Sequence, residues 1–293
     1  MAALTVLDNN RFPCQSDPRK ASGKQWRALA VSGIMVCMWR NLFGRRSARA
    51  GAHKARVPDG VVVYAIGDVH GQYHLLENLL ARIHTDVELQ HHDRRILVFI
   101  GDYVDRGPSS RLVVERVAAG FPMFETIALK GNHEQILLDF ISDPERWEFY
   151  RRLGGIETLM SYGVDHDLLL APHASRAALR DSFLSVFPRA HHDFLRSLSL
   201  SYDCGDYHFV HAGVRPGVPL DRQTEADRLW IRDQFLTAGD VFGGRVIVHG
   251  HTPTRDPENL GFRVGIDTGA YMTGRLTAAR FQGADVQFLH SDH

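Results

Sequence analysis

Between residues 61 and 140 one unit occurs three times: an apolar, β-branched run that stops in a polar loop, then an amphipathic segment. Val61-Val-Val-Tyr-Ala-Ile66 runs into Gly67-Asp68-Val69-His70-Gly71, and Tyr73, Leu76, Leu79, Leu80 and Ile83 then fall at helical spacing. Arg95–Ile100 ends in Gly101-Asp102-Tyr103-Val104-Asp105-Arg106-Gly107 and is followed by a helix over about Ser110–Ala118. Phe124–Leu129 ends in Lys130-Gly131-Asn132-His133-Glu134, with a helix through Phe140. Apolar runs without alternation suit strands covered on both faces. Strand, loop and helix in this order predict βαβ units with right-handed crossovers and a largely parallel sheet. Their loops then open on one edge, where α/β sheets hold their ligands.

From Asp143 to Leu200 the period turns helical, with breaks at Gly154-Gly155 and Ala171-Pro172. Strands return at Tyr207–Val210, which ends in His211-Ala212-Gly213, and at Arg245–Val248, which ends in His249-Gly250-His251-Thr252-Pro253. Arg263–Ile266 ends in Asp267-Thr268-Gly269, and Leu276–Phe281 and Val286–Leu289 read as closing strands. The expected fold class is α/β: two packed mixed β-sheets flanked by helices, with a helical insertion over about residues 143–200.

Charge divides the chain. Net charge is zero, yet residues 1–57 hold 11 Lys/Arg against 2 Asp/Glu, a balance of +9, and the remainder carries −9. The sequence predicts a basic extension over 1–57, disordered by composition, and a catalytic domain over 58–293. Leu29–Trp39 is too short to span a membrane; a membrane-surface or transit-like segment, and a start at Met35 or Met38, are the other readings of this stretch. Three scattered cysteines (Cys14, Cys37, Cys204) exclude a disulfide framework and point to the cytoplasm. An acidic body speaks against a nucleic-acid module.

The loops collect Asp68, His70, Asp102, Asn132, His211 and one of His249 or His251. Any one of these alone is a helix cap, a turn residue or a surface histidine. Five such loops, each directly after an apolar strand, are not accounted for that way. Oxygen and imidazole donors without thiolate suit Mn, Fe or Zn. The number of donors suits two ions bridged by Asp102, a pair able to activate water and clamp phosphate oxygens. Arg106 could hold a phosphate bidentately. His133 could protonate a leaving oxygen, and Asp105 could fix its tautomer.

GDVHG, GDYVDRG, GNHE, a later HAG and GHTP, in this order, resemble the calcineurin-like metallophosphoesterases. Within them the set is similar to the phosphoprotein phosphatase branch, above all to small bacterial and phage serine/threonine protein phosphatases. The likeness covers about residues 58–290. It implies the calcineurin-like sandwich, with one metal on Asp68, His70 and Asp102 and another on Asp102, Asn132, His211 and His251. Gly-His-Thr-Pro selects His251 over His249. His133 resembles the general acid, Asp105 its partner, and Arg106 the first phosphate-binding arginine. Arg232, in a Trp-x-Arg run, resembles the second. The implied activity is that of a phosphoric monoester hydrolase: hydroxide held by two metal ions, manganese above Fe or Zn, attacks a phosphoserine or phosphothreonine ester directly. The implied partners are a phosphoprotein or a small phosphoester, with the chain a monomer. The chain departs from eukaryotic members near the C-terminus, where Tyr271 is only a loose stand-in for their tyrosine loop. The runner-up reading is a symmetrical diadenosine tetraphosphate hydrolase or a broad phosphomonoesterase. Those hydrolases typically lack the acid at Asp105 and have Asp in place of Glu134. A reading of another class is an inactive module that binds phosphoproteins; retention of every expected catalytic residue argues against it.

Overall fold

The computed structural model describes residues 54–89, 91–170 and 175–291. The Leu29–Trp39 run, Met35 and Met38 lie outside the described residues. β1 (Val61–Ile66), α1 (Tyr73–Glu88), β2 (Arg94–Phe99), α2 (Ser110–Ala118), β3 (Glu125–Ala128) and α3 (Asn132–Ser142) realise the threefold unit. A helical stretch follows: α4 (Trp147–Tyr150), a π-turn (Arg151–Gly155), α5 (Ile156–Ser161), α6 (His166–Leu170), α7 (Arg176–Val186) and α8 (Arg189–Ser197). Then come β4 (Ser201–Cys204), β5 (Tyr207–Val210), α9 (Glu225–Trp230), α10 (Asp233–Leu236), β6 (Val246–His249), β7 (Glu258–Asn259), β8 (Arg263–Gly265), α11 (Ala270–Thr273), β9 (Thr277–Gln282) and β10 (Asp285–His290).

The strands form two five-stranded sheets, in the orders β10-β9-β1-β2-β3 and β4-β5-β6-β8-β7. β1, β2 and β3 are parallel, as are β5, β6 and β8; β4, β7, β9 and β10 add antiparallel pairings. This is the α/β class of two packed mixed sheets expected from the sequence.

Successive residues of a strand face opposite sides, so a buried sheet needs apolar residues at both parities. Val61, Val63 and Ala65 of β1 meet Phe209, Val248 and Val264 of the other sheet in an inter-sheet core. Val62, Tyr64 and Ile66 pack instead on Leu76, Leu79 and Ile83 of α1 and on the helical stretch. Val210 and Ile247 close the far side against Phe235 of α10. The layers therefore run helix, sheet, sheet, helix.

The inter-sheet core also takes Val57, which is fully buried and donates its N–H to Gly283 at 2.9 Å. Ala55 lies against the same cluster, and the Arg56 amide bonds Asp206 at 2.9 Å. Apolar side chains of both sheets meet here, which the extended, basic run before Pro58 gives no hint of.

Candidate active site

The loops after β1, β2, β3, β5 and β6 meet at one sheet edge. Five non-glycine residues among the described residues have left-handed backbone: His70 (φ 45°), Asp102 (54°), Asp105 (73°), Arg106 (68°) and His251 (64°). All five belong to these loops. Such backbone costs of order 1–3 kcal/mol per residue and persists where surrounding bonds over-determine it. The bonds are visible. The Asp102 carbonyl accepts from Val69 at 3.1 Å and His70 at 2.8 Å. Glu134, fully buried, accepts the amides of Asp102 (2.9 Å), Tyr103 (2.7 Å) and Gly131 (2.9 Å). Burial and the neighbouring Asp102 charge push the Glu134 carboxyl up to about 7, against the pull of the Gly131 and Tyr103 amides. Glu134 thus ties two loops together. In the sequence it closes the GNHE run and reads as an acid in the first turn of a helix, with no sign of the amides it gathers.

The loops also approach too closely for side chains at several glycines, two of them against candidate ligands. A Cβ on Gly131 would strike Asp102 Oδ1, and one on Gly250 would strike Asp68 Oδ1. Only glycine fits there.

Asp102 lies between two groups of donors. Its Oδ2 is 3.5 Å from His70 Nε2 and 3.9 Å from His133 Nε2, and its Oδ1 is 3.5 Å from His211 Nε2. His70 Nδ1 donates to the Val104 carbonyl at 2.8 Å and His211 Nδ1 to that of Ile100 at 3.0 Å. Both Nε2 atoms therefore carry lone pairs when the imidazoles are neutral, with the orientation that backbone carbonyls give metal-ligating histidines. His211 Nε2 lies 2.9 Å from Asn132 Oδ1 and 3.2 Å from His251 Nδ1. Lone pairs from imidazole, amide and carboxylate thus converge with too few protons between them. A cation satisfies that arrangement; hydrogen bonds do not.

Two more atoms make the same point. Asp68 Oδ1 and His251 Nε2 are buried without a hydrogen-bond partner. Asp68 Oδ2 accepts the His251 amide at 3.0 Å. Burial, with Asp267 and Asp102 close by, pushes the Asp68 carboxyl well above its usual range; burial likewise pushes Asp267 up to about 6. Burial alone would raise Asp102 too, but the surrounding imidazoles His211, His133 and His70 hold it below the carboxylate range. Burial takes His70 down to about 3 and His251 to about 2, favouring the neutral, ligand-competent imidazole. The donor set fits divalent cations. Among the described residues, two groups with donor atoms all within 4.8 Å of one another could hold one: His70, Asp102 and His133, and Asp102, His211 and His251. Asp68 is not part of the first group, where the sequence expects it. Asp267, buried close to Asp68, follows an apolar strand in the Ile-Asp-Thr-Gly run, the same signal that marks the other loops, although it is not among the ligands expected from the sequence.

His249 does not join them. It ends β6 with its ring edge-on to Phe235 (4.8 Å) and its Nε2 3.3 Å from Arg263. Left-handed backbone at His251 turns the second imidazole inward.

His133 Nδ1 is 2.7 Å from Asp105 Oδ2. Asp105 Oδ1 accepts from Tyr150 at 2.9 Å and Thr158 at 2.6 Å, both in the helical stretch. Burial works against the His133 proton, but Asp102 and Asp105 outweigh it and raise the imidazole above its ordinary value. Arg106 spreads its fork between His70 Nε2 (2.9 Å) and His133 Nε2 (3.0 Å), so both atoms act as acceptors in this arrangement. Tyr271 covers the guanidinium at 4.5 Å and meets His70 edge-on at 5.3 Å. The residue that is only a loose stand-in in sequence thus sits over Arg106. Arg232 is exposed at the rim and donates to Thr252 at 3.0 Å, next to His251.

Two packed mixed sheets that carry aspartate, histidine and asparagine to one edge define the scaffold of a metal-dependent phosphoesterase. The calcineurin-like phosphoesterase family model matches residues 61–281, and the chain belongs to that family. An asymmetrical bis(5'-nucleosyl)-tetraphosphatase PrpE from Anoxybacillus flavithermus is 27% identical over 242 residues, 74% of this chain and 89% of the relative. The protein of the same name from Halalkalibacterium halodurans is 29% identical over 244 residues, 76% of this chain and 91% of the relative. A crystal structure provisionally assigned as a diadenosine tetraphosphatase shares the fold, with a TM-score of 0.54 at 22% identity over 78% of this chain and 93% of that one. Among the described residues no helix is long and apolar enough to cross a membrane.

Proposed function

We propose that the chain hydrolyses bis(5'-nucleosyl) tetraphosphates, cleaving them unequally into a nucleoside triphosphate and a nucleoside monophosphate. The likeness to the tetraphosphatases carries this reading: it spans about nine-tenths of each of those relatives. It supports the runner-up substrate class of the sequence over the protein-phosphatase class, in the asymmetrical form. Asp68, His70 and Asp102 would hold one divalent cation, and Asp102, Asn132, His211 and His251 a second; manganese is the first ion to try. When bound, such ions supply positive charge to the phosphate oxygens and lower the cost of deprotonating water. The chain's own residues do the rest. Arg106 exchanges its two imidazole acceptors for two phosphate oxygens, which its planar fork matches. That exchange frees His133 Nε2 to carry a proton towards the leaving oxygen. Asp105, itself held by Tyr150 and Thr158, keeps the ring aligned and favours its charged form. Arg232 approaches the phosphate from the rim.

The Asp105–His133 pair favours a second reading. A nucleotide leaves as a stable anion with little need of a proton, whereas a seryl or threonyl oxygen needs one badly. A fully buried acid dyad suits the latter, so phosphoserine and phosphothreonine esters remain the competing substrate. Turnover of diadenosine tetraphosphate, p-nitrophenyl phosphate and a phosphothreonine peptide, side by side with manganese, separates the two. Fast release of ATP and AMP is expected. Peptide turnover without tetraphosphate cleavage refutes the first reading, and two molecules of ADP refute unequal cleavage.

A further inference from the structure

Beside the candidate site lies a groove of about 420 Å3, lined by Arg106, Arg151, Arg152, Leu153, Glu157 and Tyr271 among others. Its size falls within the ~300–1,000 Å3 of small-molecule sites. The wall that carries Arg151 and Arg152 is the turn Arg151–Gly155, where the chain kinks at Gly154 between two helices. This turn is docked on the backbone of Arg106. Gly154 has φ 101°, its carbonyl accepts the Arg106 amide at 3.2 Å, and a Cβ there would meet that amide nitrogen at 2.5 Å. The two arginines are thereby held at a fixed offset from the arginine assigned to the reacting phosphate. Arg151 is partly engaged by Glu148 at 3.2 Å, and Arg152 is exposed to solvent. Tyr271 lines the groove beside the Arg106 guanidinium that it covers. Three arginines and a single acid, Glu157, line the groove.

We propose that this groove binds the anionic chain beyond the phosphoryl group that reacts: the further phosphates of an oligophosphate substrate. The inference rests on the tetraphosphatase reading and adds the residues that would distinguish a polyphosphate from a single phosphoester. Consecutive phosphates offer consecutive pairs of oxygens, and forked guanidiniums take them in pairs. A phosphopeptide with one phosphate has no such series.

The test compares inorganic tripolyphosphate with orthophosphate as inhibitors of p-nitrophenyl phosphate hydrolysis, with free metal held in constant excess. The native protein should bind tripolyphosphate at least about tenfold more tightly, the size of one or two charge-assisted contacts. In the Arg151→Ala/Arg152→Ala variant that preference should shrink to about twofold or less, with the uninhibited rate unchanged. Calorimetric titration with tripolyphosphate should report the same loss without turnover. Absence of the preference in the native protein, or its survival in the variant, overturns the proposal. So does a variant that loses rate only on acidic phosphopeptides. The underlying reading fails separately. Native protein that leaves diadenosine tetraphosphate intact, yet shows the arginine-dependent preference, sinks the tetraphosphatase reading and keeps the groove. Tetraphosphate cleavage with the same kcat/KM in the variant keeps that reading and sinks the groove.

Discussion

Asp102 presents one oxygen to each group of donors, Oδ2 towards His70 and Oδ1 towards His211, both at 3.5 Å. Asp102→Asn removes the charge from both at once. Metal content should fall, and turnover of p-nitrophenyl phosphate should drop by about 10²-fold or more. Near-native metal by elemental analysis would deny Asp102 the bridging role. His133 sits differently, because its Nδ1 is committed to Asp105 at 2.7 Å. His133→Asn should leave the metal content in place and slow phosphothreonine hydrolysis by about 10²- to 10⁴-fold. The loss should be smaller on p-nitrophenyl phosphate and on diadenosine tetraphosphate, whose leaving groups need less protonation. Equal losses on all three substrates would count against a general acid.

At the scale of elements, β5 and the lead-in at Val57 each carry a consequence. On β5, His208 is buried, its Nδ1 3.0 Å from Asp203 and its Nε2 without a partner. Burial holds its pKa below the ordinary value despite Asp203. The unfolded chain therefore takes up a proton near pH 6.5 that the folded chain does not, so stability falls as pH drops below that value. His208→Gln should give a melting temperature that depends less steeply on pH between about 7 and 5. Parallel pH profiles for the two proteins would exclude His208 as a contributor. The lead-in makes a different case. A chain that starts at Ala55 retains Val57 in the core and should melt as the full chain does. One that starts at Pro58 loses a fully buried valine, about 1.5–3 kcal/mol. It should melt about 3–10 °C lower. Equal melting of both truncated chains would show that Val57 contributes nothing.

For the whole molecule, buried like charges set the largest effect. Asp68, Asp102, Asp267 and Glu134 are all nearly or fully buried around one edge of the two sheets. Without a cation their repulsion opposes folding; with one, the same carboxylates become an attractive cage. Metal that binds only the folded chain stabilises it by mass action, about 2.7 kcal/mol at a hundredfold excess over Kd. Removal of metal by a chelator should lower the melting temperature by about 5–10 °C, and restored manganese should reverse it. Identical melting with and without metal would mean that these residues form a polar core and no metal centre.

The sequence by itself determined the strand–loop–helix units, because unalternated apolar runs have few places to go other than a doubly covered sheet. It also determined which residues would crowd the sheet edge, since parallel strands must all deliver their loops to the same side. Val61–Ile66 and Tyr207–Val210 needed nothing further, and neither did the delivery of the loops that carry Asp68, His70, Asp102, Asn132 and His211 to one sheet edge. Tertiary structure decided what depends on distant chain or on backbone sign. By residue chemistry His251 and His249 are equal, and only the Gly-His-Thr-Pro likeness chooses between them; the left-handed turn at residue 251 is what carries one and not the other into the cluster. Only packing brings Tyr150 and Thr158 of the helical stretch to Asp105, and Tyr271 over Arg106. Only the assembled loops give Glu134 its three short amide contacts. The docked π-turn likewise sets Arg151 and Arg152 beside Arg106, 45 and 46 positions away in the chain. A hydropathy period reports which face of an element is buried. It carries no record of which remote side chain will share that face, because that is fixed by the crossing of sheets and by the closure of loops.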